Sequence, residues 1–207
     1  MIITLSRQFL AGADKVAERV AGELGWTVVD DAFIEALAER SGFDPEDVKG
    51  LDERVPTFME RFAQSSALST PELLFSAPSA IDEPEAIKLA HITRDLVTEL
   101  GRRDRVVLVG RAAAAVLARE REAIHVMLVA SVEFRVREAM RRYGLSEGRA
   151  RTTVAERDAN RARYHRELYR RVWADPVSYH FVLNTEQLGI DGAADLVLAR
   201  ARTLGWR

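Results

Sequence analysis

The sequence predicts an α/β protein, a single domain over residues 1–207 built on a five-stranded parallel sheet. Two observations carry this. Five short aliphatic runs are mostly unalternated, as strands covered on both faces are: IITLS (2–6), WTVVD (26–30), RVVLVG (105–110), IHVMLVA (124–130) and YHFVLNT (179–185). Helix-length segments separate them, and alternating strands and helices argue for parallel pairing through right-handed crossovers. The composition, 47 % hydrophobic and 30 % charged over 207 residues, suits a globular chain able to bury a substantial core.

The first strand runs through a glycine-containing loop into DKVAERVAGELG (14–25). There Val16, Val20 and Leu24 share a face and Gly25 stops the helix. DDAFIEALAERSG (30–42) groups Phe33, Ile34, Leu37 and Ala38 in the same way and stops at Gly42. Residues 51–84 hold four of the six prolines and a serine-rich patch, which predicts an irregular or helical insertion over 50–82. EAIKLAHITRDLVTEL (85–100) is a long helix leading into the third strand. SVEFRVREAMRRYG (131–144) starts with Ser131 as N-cap and ends at Gly144. A basic helical segment spans 146–175 with Ser146 as its cap, and GIDGAADLVLARARTLGW (189–206) closes the chain as an amphipathic helix.

Bulk properties exclude several classes. A net charge of -2 provides no global attraction to nucleic acid or to anionic membrane. Without cysteine there is neither a disulfide framework nor a thiolate metal site. No run approaches the roughly 18 apolar residues of a membrane span. The apolar Met1–Leu5 is too short for a secretory signal and Arg7 follows at once, so a cytoplasmic location is expected. Lysine occurs only as Lys15, Lys49 and Lys88, and base composition accounts for most of the surface arginines.

In an open parallel sheet, ligands bind beyond the carboxyl ends of the strands. The residues to weigh are therefore Ser6–Lys15, Asp30–Asp31, Gly110–Arg111, Ser131 and Asn184–Thr185. The loop after the first strand has the layout of a phosphate-binding loop, but against GxxxxGK[ST] it carries Arg7 at the first glycine and Ala13 at the lysine. A helix N-terminus with its free N–H groups still favours an anion there. Asp14 adds a negative charge, and Lys15 is set where the metal-binding hydroxyl is expected, leaving no obvious Mg²⁺ ligand in the loop. Arg7 restores charge from the other end. The alternative is a tight strand-to-helix turn without a ligand.

Arg111, after Gly110, places a guanidinium at a strand's ligand end, a group suited to bidentate phosphate recognition; its plain alternative is a surface ion pair. Residues 149–171 hold eight arginines against Glu156, Asp158 and Glu167. Such a helix can close over polyphosphate as a lid, or simply be a solvated face. Interleaved Tyr164, Tyr169 and Trp173 point to a surface that meets a ligand or a second subunit. The four histidines show no metal spacing, and His125, inside a strand, reads as a packed residue. Asp30 and Asp31 are adjacent and point apart in an extended segment, so they are not a ready carboxylate pair.

Taken together these segments resemble the cytidylate kinase-like proteins, a branch of the P-loop nucleoside monophosphate kinases, almost end to end. IITLSRQFLAGADKVAERVAGELGWTVVDDAFIEALAE is similar to that branch's opening, whose loop usually reads SRxYGSGG. VVLVGRAAAAVLARE resembles its VIVGR segment, and HVMLVASVEFRVREAMRRYGLSEGRA the following strand and helix. ERDANRARYHRELYRRVWADPVSYHFVLNT resembles its lid and last strand.

The resemblance implies a three-layer P-loop NTPase fold with a helical lid and a helical insertion. It also implies transfer of the terminal phosphoryl group of ATP, with Mg²⁺, to a nucleoside monophosphate or related phosphorylated acceptor. Arg111 matches the arginine that contacts the acceptor phosphate. Arg161, in a DxxR pattern, and the weaker Arg157 match lid arginines that contact the transferring group. Arg135 resembles the arginine opening the lid-bearing helix. Arg7, Gln8, Ala11, Gly12, Ala13, Asp14 and Lys15 form the loop, and Asn184 and Thr185 match the strand end near the donor base. Leu10, Ala11 and Ala13 depart from the glycine, serine and second glycine of the usual loop. Ala112 replaces the aspartate after GR, and His180 that of Y-D-L. Two readings stay open: a phosphotransferase, or a catalytically impaired kinase-fold protein whose lid and insertion bind another protein or a second copy of the chain.

Overall fold

The computed structural model describes residues 1–29 and 85–207, with side chains of the second block from His91 onward. The helix expected over 30–42, the insertion over 50–82 and the pair Asp30–Asp31 lie outside the described residues. Five strands form one sheet: β1 (Ile2–Arg7), β2 (Thr27–Val29), β3 (Val106–Val109), β4 (Ala123–Val129) and β5 (Phe181–Asn184). Their order is β2-β3-β1-β4-β5 and every pairing is parallel. The first strand of the chain thus lies at the centre of the sheet, and the loop that follows it opens at the middle of the carboxyl edge.

The helices are α1 (Ala13–Leu24), α2 (Glu85–Gly101), α3 (Ala113–Val116), α4 (Val132–Tyr143), α5 (Glu147–Tyr169) and α6 (Thr185–Thr203). Ile3 and Leu5 of β1, with Val107, Ile124, Val126 and Leu128, pack against Val16 and Val20 of α1 and Val197 and Leu198 of α6. On the opposite face Ile2, Val106 and Leu108 meet Leu96, Val97 and Leu100 of α2. Both faces of the sheet are covered, which is why its strands read as unbroken aliphatic runs. A third apolar cluster, Phe9, Val136, Ala139, Ala150 and Val154, joins α4 and α5 to the loop after β1.

Local signals act where the sequence puts them. Ser131 Oγ accepts the Phe134 N–H at 3.1 Å and opens α4, and Gly144, at φ 64°, closes it. The terminal helix starts earlier than Gly189. Asn184 caps a first turn from Thr185, and Gly189, at φ 69° and ψ 171°, kinks the chain before the amphipathic part begins.

His125 is a packed residue, as its place in a strand predicts. Its ring lies between Thr4 Oγ1, 2.8 Å from Nδ1, and the Leu117 carbonyl, 3.2 Å from Nε2. A neutral ring protonated on Nε2 satisfies both contacts, donating to Leu117 and accepting from the Thr4 hydroxyl. Burial holds its pKa down to about 4, helped by neighbouring His180 and by Arg171, against the opposing pull of the Leu117 carbonyl. The native ring therefore stays neutral at pH values where the unfolded chain has already taken up a proton. The resulting stability is complete above pH ~6.5 and is lost as pH falls towards 4, amounting to about 3 kcal/mol. Urea denaturation at pH 7 and pH 4 should show this loss in the wild type, and His125→Asn should reduce the pH dependence by about that amount.

Candidate active site

The loop Gln8–Gly12 is held by side chains from distant elements. The Gln8 N–H donates to Leu128 O at 3.0 Å, and Gln8 Oε1 accepts the Ala130 N–H at 3.1 Å, tying the loop to the end of β4. Thr185 Oγ1, at the start of α6, donates to Ala11 O at 3.0 Å. Leu10 (φ 63°) and Gly12 (φ 77°) take left-handed conformations, and α1 begins at Ala13. A Cβ on Gly12 would stand 2.5 Å from Ile190 Cδ1, the movable end of a side chain, so the left-handed backbone is the stronger reason for glycine there. The side chains of Ala11 and Ala13 are buried in the core under α1. Leu10 packs on the third apolar cluster with α4 and α5. The loop therefore keeps the strand–turn–helix form of a phosphate cradle, with the N-terminus of a 12-residue helix behind it.

Two arginines stand at neighbouring strand ends. Arg7 closes β1 and Arg111 follows β3, which pairs with β1 up to Leu5↔Val109. Gly110, Arg111 and Ala112 are left-handed in succession, at φ 74°, 52° and 51°. This turn is closed by Ala113 N–H to Gly110 O at 2.9 Å. For non-glycine residues the conformation costs of order 1 kcal/mol each, and such strain gathers at functional sites. A Cβ on Gly110 would fall 1.8 Å from Arg7 Nη1, so the Arg7 guanidinium lies directly against the turn that carries Arg111.

Helix α5, which the sequence reading takes as a lid, meets the loop at Phe9. Arg157 and Arg161 hold their Cζ atoms 5.7 and 5.8 Å from the Phe9 ring centroid, cation–π distances. Tyr143 stacks on the same ring at 6.3 Å. Asp158 Oδ1 accepts the Phe9 N–H at 2.8 Å, and Oδ2 accepts from Arg135 Nη1 at 2.5 Å. Arg135 is buried and also donates to Ala130 O at 3.1 Å. Arg135, matched by resemblance to the arginine opening the lid-bearing helix, is an internal tie between α4, the loop and α5.

Other expected residues are placed differently from one another. Asn184 Oδ1 accepts the Glu186 and Gln187 N–H groups as the cap of α6. Lys15 is exposed in the first turn of α1, and its charge adds a small contribution, behind those of Arg141 and Arg142, to the lowered Glu138 pKa. Since α1 begins at Ala13, the residue after the lysine position is Asp14, not Lys15. Asp14, exposed in the first turn, holds the place of the hydroxyl. The aromatic residues of the basic helix do not face outward as a set. Tyr164, His165, Tyr169 and Trp173 pack on one another at 5.8–6.4 Å between ring centroids, with His165 and Trp173 buried. Phe9 and Asp158 were not among the residues expected at the site, although Asp158 is the first residue of the DxxR pattern.

Gly110→Ala should cost about 2 kcal/mol in chemical denaturation, because the new methyl group must displace Arg7 and adopt a left-handed backbone. Gly22→Ala, in mid-α1 with nothing near the added atom, should instead stabilise by about 0.5–1 kcal/mol. Comparing the two variants separates local crowding from a general effect of losing glycine.

Comparison with known proteins agrees with this architecture. Over 97 % of both chains the structure is similar to that of an uncharacterized protein from Eubacterium ventriosum, with a TM-score of 0.63 and 19 % identity. Shikimate kinase from Bacteroides thetaiotaomicron aligns over 98 % of both chains with a TM-score of 0.54 and 12 % identity. Shikimate kinase from Acinetobacter baumannii aligns over 100 % of this chain and 94 % of its own, with a TM-score of 0.51 and 15 % identity. At these identities the likeness shows the fold, that of the P-loop kinases. No curated protein matches the sequence. The model of the cytidylate kinase-like family matches residues 2–187. A phosphate-type loop at the centre of a five-stranded parallel sheet, flanked by Arg7, Arg111 and a lid helix bearing Arg157 and Arg161, is what this match covers, and the chain belongs to the cytidylate kinase-like family.

Proposed function

We propose that this chain is a phosphotransferase that moves the terminal phosphoryl group of ATP to a nucleoside monophosphate or a related small phosphorylated acceptor. The observation that carries this reading is that Arg157 and Arg161 lie over Phe9 of the loop, while Arg7 and Arg111 stand at the adjoining ends of β1 and β3. The loop amides and the N-terminus of α1 would receive the donor phosphates. Arg157 and Arg161 would balance charge on the transferring group, and Arg111, beside Arg7, would orient the acceptor phosphate. Positioning and electrostatics then carry the chemistry, and no protein nucleophile is needed.

Among the described residues no group of three acidic or histidine side chains forms a metal site. Mg²⁺ would arrive on the substrate phosphates and take one or two carboxylates from the protein. Asp14, at the head of α1, is the loop side chain that would hold the ion, whose chemistry is to neutralise charge on the phosphate oxygens.

A second reading, a binding or assembly protein that has kept the kinase fold, is favoured by a specific observation. Ala13 replaces the lysine that reaches the outer phosphates, and its side chain is buried in the core. Calorimetric titration with ATP and CMP, with and without Mg²⁺, separates the two readings. Saturable binding that weakens about 10–100-fold in Arg111→Ala, the worth of one charge-assisted contact, is the expected result. Absence of binding at millimolar nucleotide in a folded wild type, together with a stable oligomer, would establish the second reading instead.

A further inference from the structure

Three segments that are far apart in sequence meet at one carboxylate. Asp158 belongs to α5, the Phe9 N–H to the loop and Arg135 to α4. Arg161 Nη1 lies 3.7 Å from Asp158 Oδ1, one helical turn further along α5. The Arg135 side chain is 4 % exposed and that of Asp158 is 18 % exposed. Phe9, Val136, Ala139, Ala150 and Val154 form an apolar cluster that joins the same three segments. A largely buried ion pair of this kind is strongly coupled to its partners.

We propose that Asp158 is the positioning residue of the lid. Through Phe9 and Arg135 it fastens the middle of α5 to the loop, and so sets Arg157 and Arg161 beside that loop before any ligand arrives. Helix geometry makes the consequence specific. Residues 157 and 161 are one turn apart on the same side of a helix, with 158 adjoining that side. Fixing the Asp158 side chain to the loop backbone turns this side of α5 towards the loop and brings both guanidinium groups within reach of the Phe9 ring, where they are found.

Electrostatics requires the same residue. Arg135, Arg157 and Arg161 bring three cations to one aromatic ring and one loop, and like charges so close repel. The two shortest contacts of Asp158 go to Arg135 and to the loop amide, while its contact with Arg161 is longer. One carboxylate thus balances the buried cation and orients the other. The purpose of this joint rests on the phosphotransferase reading, but the joint itself does not.

Removing the carboxylate alone leaves a buried guanidinium uncompensated, a change that can unfold a protein. The test therefore uses the double variant Arg135→Met/Asp158→Leu, because an apolar pair in place of a buried ion pair is often neutral for stability. Two quantities are read on the full chain: amide hydrogen exchange at Phe9 without ligand, and affinity for inorganic tripolyphosphate and for ATP. In the wild type the Phe9 amide should exchange as slowly as those of β1, and fast exchange there overturns the proposal without any variant. In the double variant, with its melting temperature preserved, Phe9 exchange should rise and tripolyphosphate affinity should fall, each by about 10-fold or more. A purely structural role would leave the affinity unchanged once stability is restored, and that result also overturns the proposal. If the wild type binds neither tripolyphosphate nor ATP, the phosphotransferase reading falls, and the joint stands or falls on the exchange of Phe9 alone.

Discussion

A loop that leaves the middle of a buried sheet must still satisfy its backbone polar groups, and this requirement organises the whole carboxyl edge of the protein. Past Gln8, whose N–H still donates to the Leu128 carbonyl of β4, the residues between β1 and α1 leave the strand pairing. Their partners are Thr185 at the head of α6 and Asp158 and Arg135 from the helical pair α4–α5, while the Gln8 side chain returns to accept the Ala130 N–H beyond β4. Each of these bonds is modest alone, about 1 kcal/mol net. Together they draw four elements onto one turn. The site is thus a consequence of how the loop is satisfied.

The strands were legible because burial on both faces erases alternation, and runs such as Val106–Val109 admit little else. Helix ends were legible wherever a glycine or serine acts locally, as at Gly25, Ser131 and Gly144. The start of α6 was less so. Asn184 reads equally as the end of a strand and as a cap, and only the position of the Glu186 and Gln187 amides decides between them.

The site was legible in its residue types but not in its connections. Arg7, Arg111 and Arg161 could be singled out from their places at strand ends and in the lid. Nothing local marks the left-handed run through Arg111 and Ala112, since neither residue type favours that conformation. The partner of Asp158 lies 149 residues away along the chain, so its role could not be separated from that of Glu156 or Glu167 by sequence alone. The aromatics of α5 show the same limit. Tyr164 and Tyr169 pack on His165, which Trp173 contacts in turn, and nothing local in the sequence marks that grouping.

What distinguishes this loop from a lysine-bearing one is where rigidity and charge come from. With a lysine, one flexible ammonium supplies charge at the phosphates from inside the loop. Here Ala13 is turned into the core and the charge stands on guanidinium groups anchored outside it, on β1, β3 and α5. A guanidinium is planar, always charged and less strongly hydrated than an ammonium, so it serves best when its plane is fixed in advance. The Phe9 ring supplies that fixation for two of them, and the Gly110 turn for a third. On the phosphotransferase reading, a cradle without the lysine lacks a mobile cation but keeps its amides preorganised, and preorganised dipoles would supply the larger part of the electrostatic stabilisation. The chemistry would then depend on geometry held by α4 and α5, and α5 would act as part of the loop's framework rather than as a cover laid over it.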